Sequence, residues 1–109
     1  MGRDVTMLGV FGTTMTVTSS DTAQSLPPSA TEDFADAGIN ELATGALITV
    51  ETYPVRIAWR INPTSTFGHL LSVGDSIRIK DRNNLLKLKF INGTPGSNGV
   101  LMITPEFDK

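Results

Sequence analysis

The strongest constraint in this chain is a two-residue rhythm. In "VRIAWRI" (55–61), Val55, Ile57, Trp59 and Ile61 alternate with Arg56, Ala58 and Arg60. In "SIRIKD" (76–81), Ile77 and Ile79 alternate with polar residues. In "LLKLKFI" (85–91), Leu86, Leu88 and Phe90 alternate with Lys87 and Lys89. Successive strand side chains point to opposite faces, so this pattern predicts half-buried strands with the apolar set inward. A one-residue slip would bury the arginines, which places Trp59 in the core. "ALITVET" (46–52), "HLL" (69–71) and "VLMITPEF" (100–107) supply further strands. "NPTSTFG" (62–68), "SVGD", "RNN" and "NGTPGSNG" (92–99) are the turns between them. Six or seven short strands at intervals of about ten residues predict an all-β protein. The expected fold is a single antiparallel β-sandwich, jelly-roll or immunoglobulin-like.

The first third differs in texture. "TTMTVTSS" (13–20) favours extended backbone through its β-branched residues, and "LPPS" is extended because proline fixes φ and constrains its predecessor. Residues 1–30 read as an N-terminal strand and an extended arm, and 31–109 as the sandwich domain. On this reading, deleting the arm leaves the sandwich folded. "SATEDFADAG" (29–38) is the one helix candidate: Ser29 and Glu32 have capping-box spacing, and Gly38 can end the turn. At most one short helical turn is expected there, since so brief a helix is unstable alone.

A chain of 109 residues has room for one domain and one core. The absence of cysteine excludes disulfides, thiolate metal sites and thiol nucleophiles. No run of about 18 apolar residues occurs, so no transmembrane span is expected. Asp4 and the scattered threonines spoil the N-terminus as a signal peptide. A net charge of −2 gives no electrostatic case for nucleic acid. The charge is nevertheless polarised along the chain. Residues 1–51 hold seven acids and one base, and residues 52–109 hold eight bases and four acids. The two halves either neutralise each other within one sandwich or meet across an interface.

Catalytic signatures are missing. His69 is the lone histidine, with no partner for a triad or a metal cluster. No nucleophile elbow, phosphate-binding loop or calcium loop appears. Glu32, Asp33 and Asp36 fit a helix start better than a carboxylate pair. No catalytic residue, metal ligand or cofactor is therefore assigned, and a small-molecule substrate is not expected. Asn92-Gly93-Thr94 matches the glycosylation sequon but reads as a hairpin turn. The residues left for partner contact are the outward bases Arg56, Arg60, Arg78, Lys80, Lys87 and Lys89, which form one basic stripe if their strands are neighbours. Tyr53 and Phe67, placed in connections, join them as candidate exposed aromatics.

From Gly45 to Phe107 the chain resembles small β-sandwich proteins encoded among the virion structural genes of tailed bacteriophages. The residues that carry the likeness are "GALITVETYPVRIAWRINPTSTFGHLL", "VGDSIRIKD" and "LLKLKFINGTPGSNGVLMITPEF". Ile61-Asn62-Pro63 stands where similar domains often have Asp-Gly before a Thr-Pro loop. The resemblance implies a non-enzymatic virion protein, foremost a capsid decoration or cement protein. Such a protein would bind the major capsid protein, brace neighbouring capsomers and act as a homo-oligomer, with a trimer favoured. It would be assembled into the virion in the host cytoplasm. A tail or neck component, or a carbohydrate- or receptor-binding module, is the alternative.

Overall fold

The computed structural model describes residues 9–27 and 43–108. The chain forms β1 (Gly9–Phe11), β2 (Met15–Thr18), β3 (Gln24–Ser25), β4 (Gly45–Glu51), β5 (Val55–Trp59), β6 (His69–Leu71), β7 (Ser76–Lys80), α1 (Arg82–Lys87), β8 (Leu88–Asn92) and β9 (Val100–Asp108). One sheet has the order β1-β9-β4-β7, with β2 also pairing β9 further along its length. The other has the order β3-β8-β5-β6. Every pairing is antiparallel, and four of them nest: β2 with β9, β3 with β8, β4 with β7, and β5 with β6. The chain is thus one long hairpin rolled up on itself. That nesting is the jelly-roll plan, which resolves the two sandwich topologies compatible with the sequence pattern.

The rhythm of the strands explains the core. Ala46, Ile48 and Val50 of β4, Ile79 of β7, and Leu101, Ile103 and Phe107 of β9 face Val55 and Ile57 of β5 and Leu88 and Phe90 of β8. Each fully buried large side chain contributes about 1.5–3 kcal/mol of hydrophobic stabilisation. Trp59 packs against this cluster while keeping one side accessible, so its inward placement holds.

Three expectations are corrected. Residues 9–27 are not an arm apart from the sandwich, because they supply β1, β2 and β3 to both sheets. Removing them would strip the partners of β9 and β8, so the sandwich cannot be expected to fold without them. Residues 85–87 are helical rather than extended. Asp81 accepts a hydrogen bond from the Asn83 N–H at 3.1 Å, and the Leu85 N–H reaches the Asp81 carbonyl at 3.1 Å. Leu85 is buried and Leu86 is exposed, the reverse of the alternation argument. "RNN" is consequently the start of a helix instead of a turn. Finally, Ile61 does not continue the inward face of β5. Arg60 has a left-handed backbone (φ 68°), the strand ends at Trp59, and Ile61 is 55% exposed. The helix expected at 29–38 lies outside the described residues.

Gly45 sits in register between Glu106 on β9 and Lys80 on β7. A Cβ there would lie 2.3 Å from the Ile79 carbonyl oxygen. The missing side chain leaves the outer face of β4 bare at this position, and side chains of β7 cross it to reach Glu106 on β9.

Candidate functional site

The nested topology separates the basic residues that the sequence groups together. Arg56 and Lys89 lie on neighbouring strands of one sheet, while Arg78 and Lys80 lie on β7 of the other. There is no single basic stripe. Arg56 is half-buried and occupied: Nε donates to the Ser65 carbonyl and Nη1 to the Gly68 carbonyl, both at 2.9 Å. It pins the 62–68 connection across the outer face of its sheet. That explains why Ala58 and Ile91, which point outward by register, are buried along with Pro63.

Arg78 is also committed. Its guanidinium donates to both carboxylate oxygens of Glu106, at 3.3 and 2.8 Å, and Lys80 Nζ lies 3.6 Å from the same carboxylate. Glu106 is only 2% exposed although its strand position points outward. Phe11 stands opposite it on β1, with the Arg78 guanidinium carbon 5.8 Å from the Phe11 ring centroid. A carboxylate removed from water in this way needs the paired donors, so Arg78 works structurally. Arg60, Lys87 and Lys89 gather instead around a shallow cleft of about 360 Å³ beside Leu86.

Both candidate aromatics are exposed, Tyr53 at 47% and Phe67 at 52%. Phe67 closes a tight turn: its N–H and carbonyl bond Thr64 at 3.2 and 2.9 Å. Tyr53 follows Thr52, whose φ of 76° places it at the centre of a three-residue turn closed by the Tyr53 N–H and the Glu51 carbonyl at 2.9 Å. A β-branched residue in that conformation is strained, and the turn it centres sets Tyr53 at the tip.

Sequence reasoning passed over the open side of the sandwich. β6 and β7 are the edge strands on the same side of their respective sheets. Between them runs a cleft of about 390 Å³ whose apolar wall is Ile57, Trp59, Leu71, Ile77 and Ile79, with His69, Arg78 and Lys80 also lining it and Asn84 of α1 at its end. Trp59 anchors it: the indole N–H donates to the Asn84 carbonyl at 3.0 Å, and the ring centroid lies 6.2 Å from that of His69. A second hollow of about 570 Å³ continues past Trp59 and His69 to Ile61 and Phe67. The signal that could have located this surface is the pair of short apolar strands flanking "SVGD", one of which had to be an edge.

A polar network, buried at Ser19 and Asn92 and open to solvent at Asp21 and Asn98, closes the end of the sandwich where β8 leads to β9. The Asn92 amide donates to Asp21 Oδ1 at 2.9 Å and to Asn98 Oδ1 at 2.8 Å, and its oxygen accepts from the Ser19 hydroxyl. The Ser19 hydroxyl also accepts from the Gly99 N–H at 2.8 Å. Gly96 N–H donates to both Asp21 oxygens at 2.9 and 3.1 Å. These bonds, the Gly96 N–H first and the Asn92 amide second, hold the Asp21 carboxyl below its ordinary value. Asn92 is 1% exposed, so the sequon asparagine has no room for a glycan in the folded protein.

Among the described residues no group of three or more His, Asp or Glu side chains can hold a metal ion. Among them, too, no helix is long and apolar enough to cross a membrane. No protein-family model, no curated protein and no solved structure matches the chain.

Proposed function

We propose that this chain is a non-enzymatic virion structural protein, a capsid decoration or cement protein that acts as a homo-oligomer on the major capsid protein. The observation that supports the reading best is the apolar cleft between edge strands β6 and β7. Unpaired edges invite strand addition by another chain, and natural sheets usually blunt or cover them. Here the cleft between the two edges is lined mainly with Ile, Leu and Trp, with His69, Arg78 and Lys80 beside them, and extends toward exposed Ile61 and Phe67. Such a surface serves adhesion. On a shell, modest contacts of this kind add up through multivalency.

The carbohydrate reading is less well supported. Trp59 spends its N–H on Asn84, and Phe67 and Tyr53 lie on different connections rather than on one sugar-stacking platform.

The test is quantitative mass spectrometry and imaging of purified particles from cells expressing the gene. The expected result is many symmetry-related copies on the outer shell. Absence from the particles refutes the proposal, and a location at the neck or tail replaces the decoration reading with the tail one. Ile77→Lys, which places a charge in the cleft, is expected to leave the chain folded but lower its particle occupancy.

A further inference from the structure

The exposed charges that no ion pair holds are partly sorted along the strand axis. The registers bring Glu51, Asp75 and Asp21 to one end of the sandwich, the end with the β4–β5, β6–β7 and β8–β9 connections. Among the described residues the connections at this end carry no lysine or arginine, Arg56 one step into β5 is tied to the Ser65 and Gly68 carbonyls, and none of the three carboxylates forms an ion pair. Arg60, Lys87 and Lys89 cluster at the other end. Among the described residues Arg60 and Lys87 make no ion pair, and the Lys89 ammonium reaches only the Ser25 hydroxyl, at 3.5 Å. Of the acids nearby, Asp81 caps α1 and Glu106 holds Arg78.

Exposed apolar side chains follow the same division. Tyr53 and Val73 stand at the acidic end, with Leu70 beside Pro54. Ile61, Phe67 and Leu86 stand at the basic end, and Leu47 alone lies between. Thr52 at one end and Arg60 at the other have left-handed backbone. An apolar patch rimmed by one sign of charge, facing a matching patch with the opposite rim, has the anatomy of an interface.

We propose that the acidic end of one copy docks on the basic end of the next, a head-to-tail contact between copies of this chain. It rests on the homo-oligomeric reading above and specifies which surfaces meet. Unlike a two-fold contact, a head-to-tail contact uses two different patches, so it builds a ring where the rotation closes and an open array where it does not.

That asymmetry gives a test with the full-length protein alone, so failure here leaves particle occupancy to be judged separately. One variant reverses the basic end (Arg60→Glu with Lys87→Glu), and the other neutralises the acidic end (Glu51→Gln with Tyr53→Ser). Circular dichroism checks that both are folded. Sedimentation of the wild type is expected to show association that weakens with added salt, because rim charges are screened over about 10 Å at 0.1 M. Each variant alone is expected to associate about tenfold or more weakly. An equimolar mixture is expected to form dimers and stop there, since each dimer uses one intact acidic end and one intact basic end. A monomeric wild type at every concentration overturns the proposal, as do variants that assemble like the wild type or a mixture that forms no dimer. Neutralising Glu32, Asp33, Asp36 and Glu41 is expected to leave association intact. If that change alone dissociates the wild type, the bases serve the 28–42 segment and the proposal is wrong.

Discussion

Removing the Arg78 side chain is the sharpest test of how the outer face of the first sheet is built. Glu106 is 2% exposed, and its hydrogen-bond donors are the two Arg78 nitrogens at 3.3 and 2.8 Å, with Lys80 Nζ more distant at 3.6 Å. Breaking a fully buried ion pair by deleting one partner costs about 3–5 kcal/mol, because the remaining charge is stranded. Arg78 is itself 37% exposed, so solvent screens the pair and the figure must be discounted. Arg78→Ala should therefore cost about 2–3 kcal/mol. Glu106→Gln keeps the shape and leaves Arg78 free to rehydrate, so it should cost less, about 1–2 kcal/mol. The double variant should cost less than the sum, with a coupling of about 1 kcal/mol or more. Trp59, the sole tryptophan, is packed against the core and reports unfolding by fluorescence in denaturant titrations. Each kcal/mol also lowers Tm by about 4–8 °C in a domain near this size. If Arg78→Ala costs under about 0.5 kcal/mol, or less than Glu106→Gln, the carboxylate is not held as described.

Other variants probe the opposite end and the N-terminal strands. Asn92→Ala leaves the buried Ser19 hydroxyl short of a partner and removes a donor from the exposed Asp21 and Asn98, and should cost about 1–2 kcal/mol in the same titration. The Asp21 carboxyl is depressed in the folded state by Gly96 and Asn92, so its contribution is present above its ordinary value near 3.8 and is lost as pH falls through the lower folded value. Asp21→Asn should flatten the acid limb of a stability-versus-pH curve, and an unchanged limb would contradict the assignment. A chain beginning at Ala43 lacks β1–β3 and should be unfolded or aggregated by circular dichroism, because the outer edges of β8 and β9 lose their partners. A cooperative, soluble product would show that residues 9–27 are dispensable to the sandwich.

Some of this protein was legible in its residues alone. Alternation placed Val55, Ile57, Trp59, Ile79, Leu88 and Phe90 inward, because strand side chains change face at every step whatever the strand pairs with. Turn chemistry located most connections for the same local reason. The alternation argument failed at 85–87, where "LLK" suits either a strand or one turn of helix, and the Asp81 cap together with the buried Leu85 site decided for helix. It failed again at Ile61, where one left-handed residue, Arg60, ended the rhythm.

Partnership was beyond the sequence pattern. Periodicity says which face a side chain takes but not which strand lies beside it, and the nesting of β2 to β9 is set by long-range pairing across the whole chain. That nesting sends β7 to one sheet and β5 and β8 to the other, so the basic residues that looked like one stripe have three different fates. Arg56 clamps a loop over its own sheet, Arg78 holds a buried carboxylate, and Arg60, Lys87 and Lys89 remain at one end of the sandwich facing solvent. The alternating residues determined that there would be two faces and an apolar core; the tertiary structure decided which charges the fold consumes and which it leaves exposed.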